Sequence, residues 1–270
     1  MILIAPIVLF FFALTWNLPN VSWLLIHNPA STPFMALQSR KLSTAQKEVL
    51  PTQIWVNYEL ISNNLKRSVL AAEDDTFFNH HGFNWTEIKK IYNSMKKTKK
   101  IKRGGSTITQ QLAKNLYLGP EKTIFRKIKE AIITVSLEKT LPKKRILELY
   151  LNLIEWGPGI FGIEAASQFY YHKSAHDLTL QESAYLAAII PNPLKYSTTK
   201  YRKYTQAKAN LIAKRARYQI LEHQADSIRE AINLSLKESV AKKSSEIDKE
   251  TKEAEDEAIE KIAPVEIPEF

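Results

Sequence analysis

Leu65-Lys66-Arg67-Ser68-Val69-Leu70-Ala71-Ala72-Glu73-Asp74-Asp75-Thr76-Phe77 sets Leu65, Val69, Glu73 and Phe77 at four-residue steps. Such steps keep side chains on one helix face, whereas a strand would alternate them. The same reading extends outward. From about Asn57 onward the spacing stays helical, glycines are few and no sustained alternation occurs, so an all-α domain is expected. Within the opening stripe a carboxylate, Glu73, stands where a core residue belongs. An isolated glutamate there is ordinarily a helix-end residue turned outward, so its meaning depends on its neighbours.

Downstream, Trp85 to Arg103 is a lysine-rich stretch interleaved with Ile88, Ile91, Tyr92 and Met95. It reads equally as a solvated charge run and as a segment lying against anionic headgroups. Gly104-Gly105-Ser106-Thr107-Ile108-Thr109-Gln110-Gln111-Leu112-Ala113-Lys114-Asn115 follows, with Thr107 and Gln110 at capping-box spacing. That spacing starts a helix at Ile108, and its N-terminal N–H groups are a candidate phosphate site. Lys114 lies three and four residues after Gln111 and Gln110, so the three can share a face. Arg126 and Glu130 are one turn apart, which alone reads as a surface ion pair of little energetic weight. Lys143 to Asn152 is again helical, the glycines of Trp156 to Gly162 predict a tight, close-packed turn, and Ile163 to Ala188 reads as core helices closed by Pro191-Asn192-Pro193. Beyond Glu222 the composition turns to interspersed Lys, Glu, Ala and Ser, a solvated helical or disordered tail.

Upstream, Ile2 to Trp16 is uncharged and almost wholly apolar, and a second apolar patch runs from Val21 to Ile26. A helix over residues 1–26 would cross a hydrocarbon core of about 30 Å, with Trp16 and Trp23 as interface anchors. Without a basic n-region or a small-residue cleavage site it reads as an uncleaved transmembrane anchor. The expected organisation is an anchor over 1–26, a linker over 27–57, a catalytic domain over 58–221 and a tail over 222–270. Arg40 and Lys41 flank the far side of the span and by charge alone would hold the domain in the cytoplasm, so the topology must rest on chemistry. The formal charge of +10 asks for an anionic partner, and the absence of cysteine excludes disulfides, thiolate metal sites and a cysteine nucleophile.

Read together, Glu73-Asp74-x-x-Phe77-x-x-His80-x-Gly82, Gly104 to Gln111 with Lys114-Asn115, Arg126-Lys127-x-x-Glu130 and Lys144-x-Ile146-Leu147-Glu148-x-Tyr150-Leu151-Asn152 resemble the family 51 peptidoglycan glycosyltransferases, in particular the monofunctional, membrane-anchored biosynthetic members. The resemblance covers roughly Leu60 to Ser197, and its specificity lies in four motifs in order. It implies a lysozyme-like, two-lobed all-α fold whose smaller, jaw-like lobe touches the membrane. It implies polymerisation of lipid II, with the lipid-linked chain as donor, on the extracytoplasmic face of the inner membrane. By motif, Glu73 resembles the general base for the acceptor 4-hydroxyl and Glu130 the second essential glutamate. Lys114, Arg126 and Lys127, and more loosely Lys122, match basic positions near the donor diphosphate. Asp74, Phe77, Ser106, Gln110 and Gln111 match substrate-binding positions. Mg²⁺ or Mn²⁺ accompanying the diphosphate is an option the resemblance leaves open, as are cell-wall synthesis or division proteins as partners. No organic cofactor and no protein metal site are expected, His80 is expected to orient structure near Glu73, and the remaining histidines are read as surface residues.

The chemistry agrees with these residue types. A sugar hydroxyl attacking an anomeric carbon needs a base, and a glutamate in apolar surroundings, its pKa raised, suits that work at neutral pH. A diphosphate already leaves well and needs cations more than a proton. A lytic enzyme on the same polymer would instead need a carboxylic acid at the leaving group, and a non-catalytic scaffold would tolerate loss of Glu73. A nucleic-acid partner would fit the charge but neither the anchor nor the motifs. A transpeptidase module is excluded, since no Lys-Thr-Gly accompanies the scattered Ser-x-x-Lys matches.

Overall fold

The structure, a computed structural model, describes residues 18–44, 52–98, 105–119, 121 and 123–260. The chain divides into two compact units, Met1–Arg217 and Tyr218–Phe270. In the first unit the opening stripe forms helix α2 (Asn63–Glu73). Its start is fixed by Ser62, whose hydroxyl accepts from Asn64 N and donates to Leu178 O. Leu65, Val69 and, beyond the helix, Phe77 are fully buried. The helix packs along α8 (Leu180–Ile189), whose buried Ala184, Ala187 and Ala188 permit close approach.

The next framework helix, α4 (Ile108–Tyr117), carries the predicted capping box: Thr107 Oγ1 accepts from Gln110 N, and Gln110 Oε1 accepts from Thr107 N. It packs against α1 (Pro33–Thr44), α5 (Ile124–Thr140) and α6 (Lys143–Leu153). Ile108, Leu112 and Ala113 lie with no exposure at that junction, where cutting a leucine to alanine costs about 2–5 kcal/mol. Thr109 and Lys143 both donate to the Glu138 carboxylate, joining α4, α5 and α6. Helix α3 (Trp85–Thr98) holds much of the lysine-rich stretch, while α7 (Ile163–Tyr171) and α9 (Pro193–Tyr196) complete the first unit with the start of α10 (Arg202–Glu260).

The first unit is mostly helical, with one addition to the all-α expectation. A small sheet in the order β1-β3-β2 joins β1 (Thr52–Gln53), β2 (Glu155–Gly157) and β3 (Ile160–Phe161), with β3 parallel to β1 and antiparallel to β2. The glycine-rich turn is therefore a hairpin. Gly159 and Gly162 take φ of +74° and +79°, which L side chains rarely adopt, and Trp156 and Phe161 are buried beside them. The segment expected as a linker is stitched to the core: Asn152 Oδ1 accepts from Val56 N, its Nδ2 donates to Val56 O, and Gln53 Nε2 donates to Asn152 O.

Residues 1–17 of the expected anchor lie outside the described residues. Its last residues do not continue a helix toward Ile26. Ser22–Leu25 is a short 3-10 turn, Val21 and Leu24 are buried in the core, and the Arg145 guanidinium donates to Leu24 O and His27 O at 2.7 Å each. Among the described residues no helix is long and apolar enough to cross a membrane.

Candidate active site

Glu73 is the last residue of α2 and Asp74 its C-cap, so the two carboxylates leave the helix end in different directions. Asp74 turns inward. Both its oxygens are within 3.0 Å of His80 Nε2, and Oδ2 also accepts from Ile108 N at 3.1 Å, at the start of α4. A carboxylate at a helix N-terminus satisfies a free N–H and complements the helix dipole. The candidate phosphate site at this terminus is thereby corrected: Asp74 and the Thr107 side chain already occupy Ile108 N and Gln110 N. His80 has the structural role expected of it.

Glu73 turns toward α4 and is half-buried. Gln111 Nε2 donates to Glu73 Oε2 at 2.8 Å, and Gln111 Oε1 accepts from the Tyr150 hydroxyl at 3.0 Å. Tyr150 is fully buried; burial holds its pKa well above the ordinary tyrosine value, and the Glu73 and Asp74 carboxylates push the same way. A phenol held protonated is a donor to Gln111, which orients the amide with its NH₂ toward Glu73. Sequence reasoning quoted Tyr150 within a motif but gave it no role. Its signal was a phenol at a core position of α6, since a buried hydroxyl requires a partner.

Three residues beyond Gln111, Lys114 sits half-buried on α4. Its pKa is lowered, first by burial and then by Arg126 and Lys127, against the opposing pull of Glu130 and Glu73. Lys114 is thus within electrostatic reach of Glu73 and of the basic cluster on α5. There Thr123 caps the helix, the Arg126 guanidinium donates to Glu130 Oε2 at 2.8 Å, and the Lys127 ammonium bonds both Glu130 Oε1 and Ser106 Oγ. Glu130 is 3% exposed. The reading of Arg126–Glu130 as a surface pair is therefore corrected: the carboxylate is buried and holds two cations, and its companion Lys127 is the more exposed of them.

The structure brings Glu73, Gln111, Lys114, Arg126, Lys127, Glu130 and Ser106 into one region. It takes three others out of direct reach, the first being Asp74, whose carboxylate is turned inward onto His80 and Ile108 N. Phe77 is wholly buried with the Lys143 ammonium 4.3 Å from its ring centre, a core position. Gln110 is buried and its carbonyl oxygen is committed to the capping box. Lys122 lies outside the described residues. Among the described residues no three His, Asp or Glu side chains converge as a metal site, and Glu130, the carboxylate nearest the cations, is already neutralised. These donors do not fit a protein-held divalent ion.

The sequence matches the family described as transglycosylase over residues 39–217, and the chain belongs to that family. It is similar to proteins named biosynthetic peptidoglycan transglycosylase. The one from Methylobacillus flagellatus is 45% identical over 203 residues, covering 75% of this chain and 89% of the relative. That from Dechloromonas aromatica is 48% identical over 186 residues, 68% of this chain and 80% of the relative. A third, from Herminiimonas arsenicoxydans, is 41% identical over 214 residues, 79% and 93% respectively.

Proposed function

We infer that the chain is a peptidoglycan glycosyltransferase that polymerises lipid II into glycan strands. The observation that carries this reading is Glu73, held by Gln111, which precedes the cation Lys114 by three residues on α4, with Lys114 in turn within the electrostatic reach of Glu73, Arg126 and Lys127. Glu73 takes the proton of the acceptor's 4-hydroxyl as that oxygen attacks the donor's anomeric carbon. The bond from that carbon to the diphosphate breaks, and the lipid diphosphate leaves with its electron pair. Lys114, Arg126 and Lys127 meet the growing charge, the arginine offering a fork that matches phosphate oxygens. Direct displacement inverts the centre, so an α-linked donor gives a β-linked strand. A Mg²⁺ or Mn²⁺ ion, where used, arrives with the substrate diphosphate.

The finer parts of the reading follow from the substrate. A lipid-linked sugar confines the reaction to a membrane surface, which fits the apolar segment before Asn17 as a single-pass anchor and an extracytoplasmic catalytic domain. Helix α3, with Trp85 and Tyr92 exposed among lysines, suits the membrane-facing side of the smaller lobe of a lysozyme-like fold. The test is lipid II polymerisation by wild type, Glu73→Gln and Lys114→Ala. Polymer from wild type alone is the expected result. Soluble muropeptides released from finished peptidoglycan, with no polymer from lipid II, would overturn the assignment in favour of a lytic enzyme.

A further inference from the structure

The family match ends at residue 217, and the second compact unit begins at Tyr218, described to Glu260 as the distal part of α10. Along this part Leu221, Ile228, Ile232, Leu236, Val240 and Ile247 are each 54–67% exposed. Successive members are four or seven residues apart, so at 100° per residue they fall on one face, with Tyr218 and Ala225 among them. From Tyr218 to Ile247 that face extends about 44 Å at 1.5 Å per residue. Arg229, Ser239 and Lys243 also fall within that face and the equally exposed Leu234 falls off it, yet a helix that only needs to be solvated has no use for eight apolar side chains on one side, and such a stripe marks an association surface.

Charge selects the occupant. Residues 202–217 carry six basic side chains and no acidic one, residues 218–243 carry four of each, and residues 244–260 carry eight acidic and two basic. Two such helices side by side in parallel would set acid against acid and base against base. Reversing one lays its acidic end along the basic start of the other. An anionic membrane would repel the acidic end. We propose that this apolar face pairs antiparallel with the same face of a second copy of the chain. With Ile232 meeting its counterpart, Ile228 faces Leu236 and Tyr218 comes near Ile247, so one register keeps the two apolar faces together along their length.

The chain has no cysteine, so single cysteines report the register in the full-length protein. Under mild oxidation Ile232→Cys should form a disulfide-linked dimer, a mixture of Tyr218→Cys and Ile247→Cys chains should cross-link to each other, and Thr251→Cys should cross-link about tenfold less. Adding Ile228→Glu and Leu236→Glu should lower the Ile232→Cys dimer by about tenfold, while lipid II polymerisation reports that the catalytic unit remains folded. Equal cross-linking of Ile232→Cys and Thr251→Cys, stronger cross-linking at Thr251→Cys, or indifference to the two glutamates would each overturn the pairing.

Discussion

The Tyr150 hydroxyl and Glu73 never touch, yet one side chain connects them: Tyr150 donates to Gln111 Oε1 at 3.0 Å, and Gln111 Nε2 donates to Glu73 Oε2 at 2.8 Å. A primary amide carries no proton between its two ends at ordinary pH. The connection therefore transmits orientation: α6 fixes the phenol, the phenol fixes the amide, and the amide fixes the carboxylate against α4.

Removing the first link should impair turnover more than binding. Tyr150→Phe keeps the buried ring and deletes only the hydroxyl, so kcat for lipid II polymerisation should fall about tenfold with KM nearly unchanged, the pattern of a base that is present but less well held. Gln111→Ala should fall further, since the carboxylate then loses the amide donor itself and not merely that donor's orientation. Steady-state kinetics of both variants test this, and a Tyr150→Phe enzyme with unaltered kcat would remove the orienting role.

The cluster on α5 separates a buried partner from an exposed one. Glu130 is 3% exposed and balances two cations, so Glu130→Gln leaves the half-buried Arg126 without its counter-charge and should cost about 2 kcal/mol of stability, less than a fully buried pair. The Lys127 side chain is 48% exposed and screened by water, so Lys127→Ala should cost less than about 1 kcal/mol. Both should lose polymerisation. Urea unfolding of the two variants distinguishes structure from chemistry, and equal destabilisation would contradict the burial argument.

Much of this was legible before any coordinates. The Leu65, Val69, Phe77 stripe announced α2, and Thr107 with Gln110 announced the start of α4, because both depend on local spacing. Hidden were the features set by pairing across the chain. That Asp74 would fill the N-terminus of α4 depends on residues 34 positions apart, and that residues 52–53 would pair with the hairpin depends on a contact more than 100 positions away. Phe77 belongs to a motif whose residues serve both packing and chemistry, and a motif does not say which member does which. The burial of Glu130 was equally invisible, since an i, i+4 pair reads the same on a wet face as on a dry one.

Two glycines offer a contrast that tests the hairpin. At Gly162 φ is +79° and an added Cβ would stand 2.8 Å from the Asn152 carbonyl oxygen, which is backbone and anchored by Gln53. Gly162→Ala should therefore destabilise by about 2–4 kcal/mol. At Gly105 an added Cβ meets only the tip of Ile91 at 2.8 Å, a flexible side-chain end, so Gly105→Ala should cost less than about 1 kcal/mol. Thermal melts of the two variants give the comparison, and similar losses would mean that the Gly162 backbone relaxes.

Lys114 should show stability and activity pulling in opposite directions. Its pKa in the folded chain lies below 10.5, with burial the leading cause. Between that lowered value and 10.5 the unfolded chain binds the extra proton, so stability rises with pH through this window, and at lower pH the full cost of burying the ammonium is present. Lys114→Met removes the cost and should raise the Tm of the substrate-free protein by about 2 °C, while polymerisation falls by about 100-fold or more because the diphosphate loses a cation. The wild-type enzyme should accordingly lose kcat/KM on the alkaline side before an ordinary lysine would titrate. Bound diphosphate favours the charged ammonium, so the corresponding limb of kcat should lie at higher pH. Lys114→Arg, whose guanidinium stays charged, should abolish that limb whatever its remaining activity. Should Lys114→Met melt lower than wild type across this range, the ammonium is serving the fold, and its assignment to the leaving group fails.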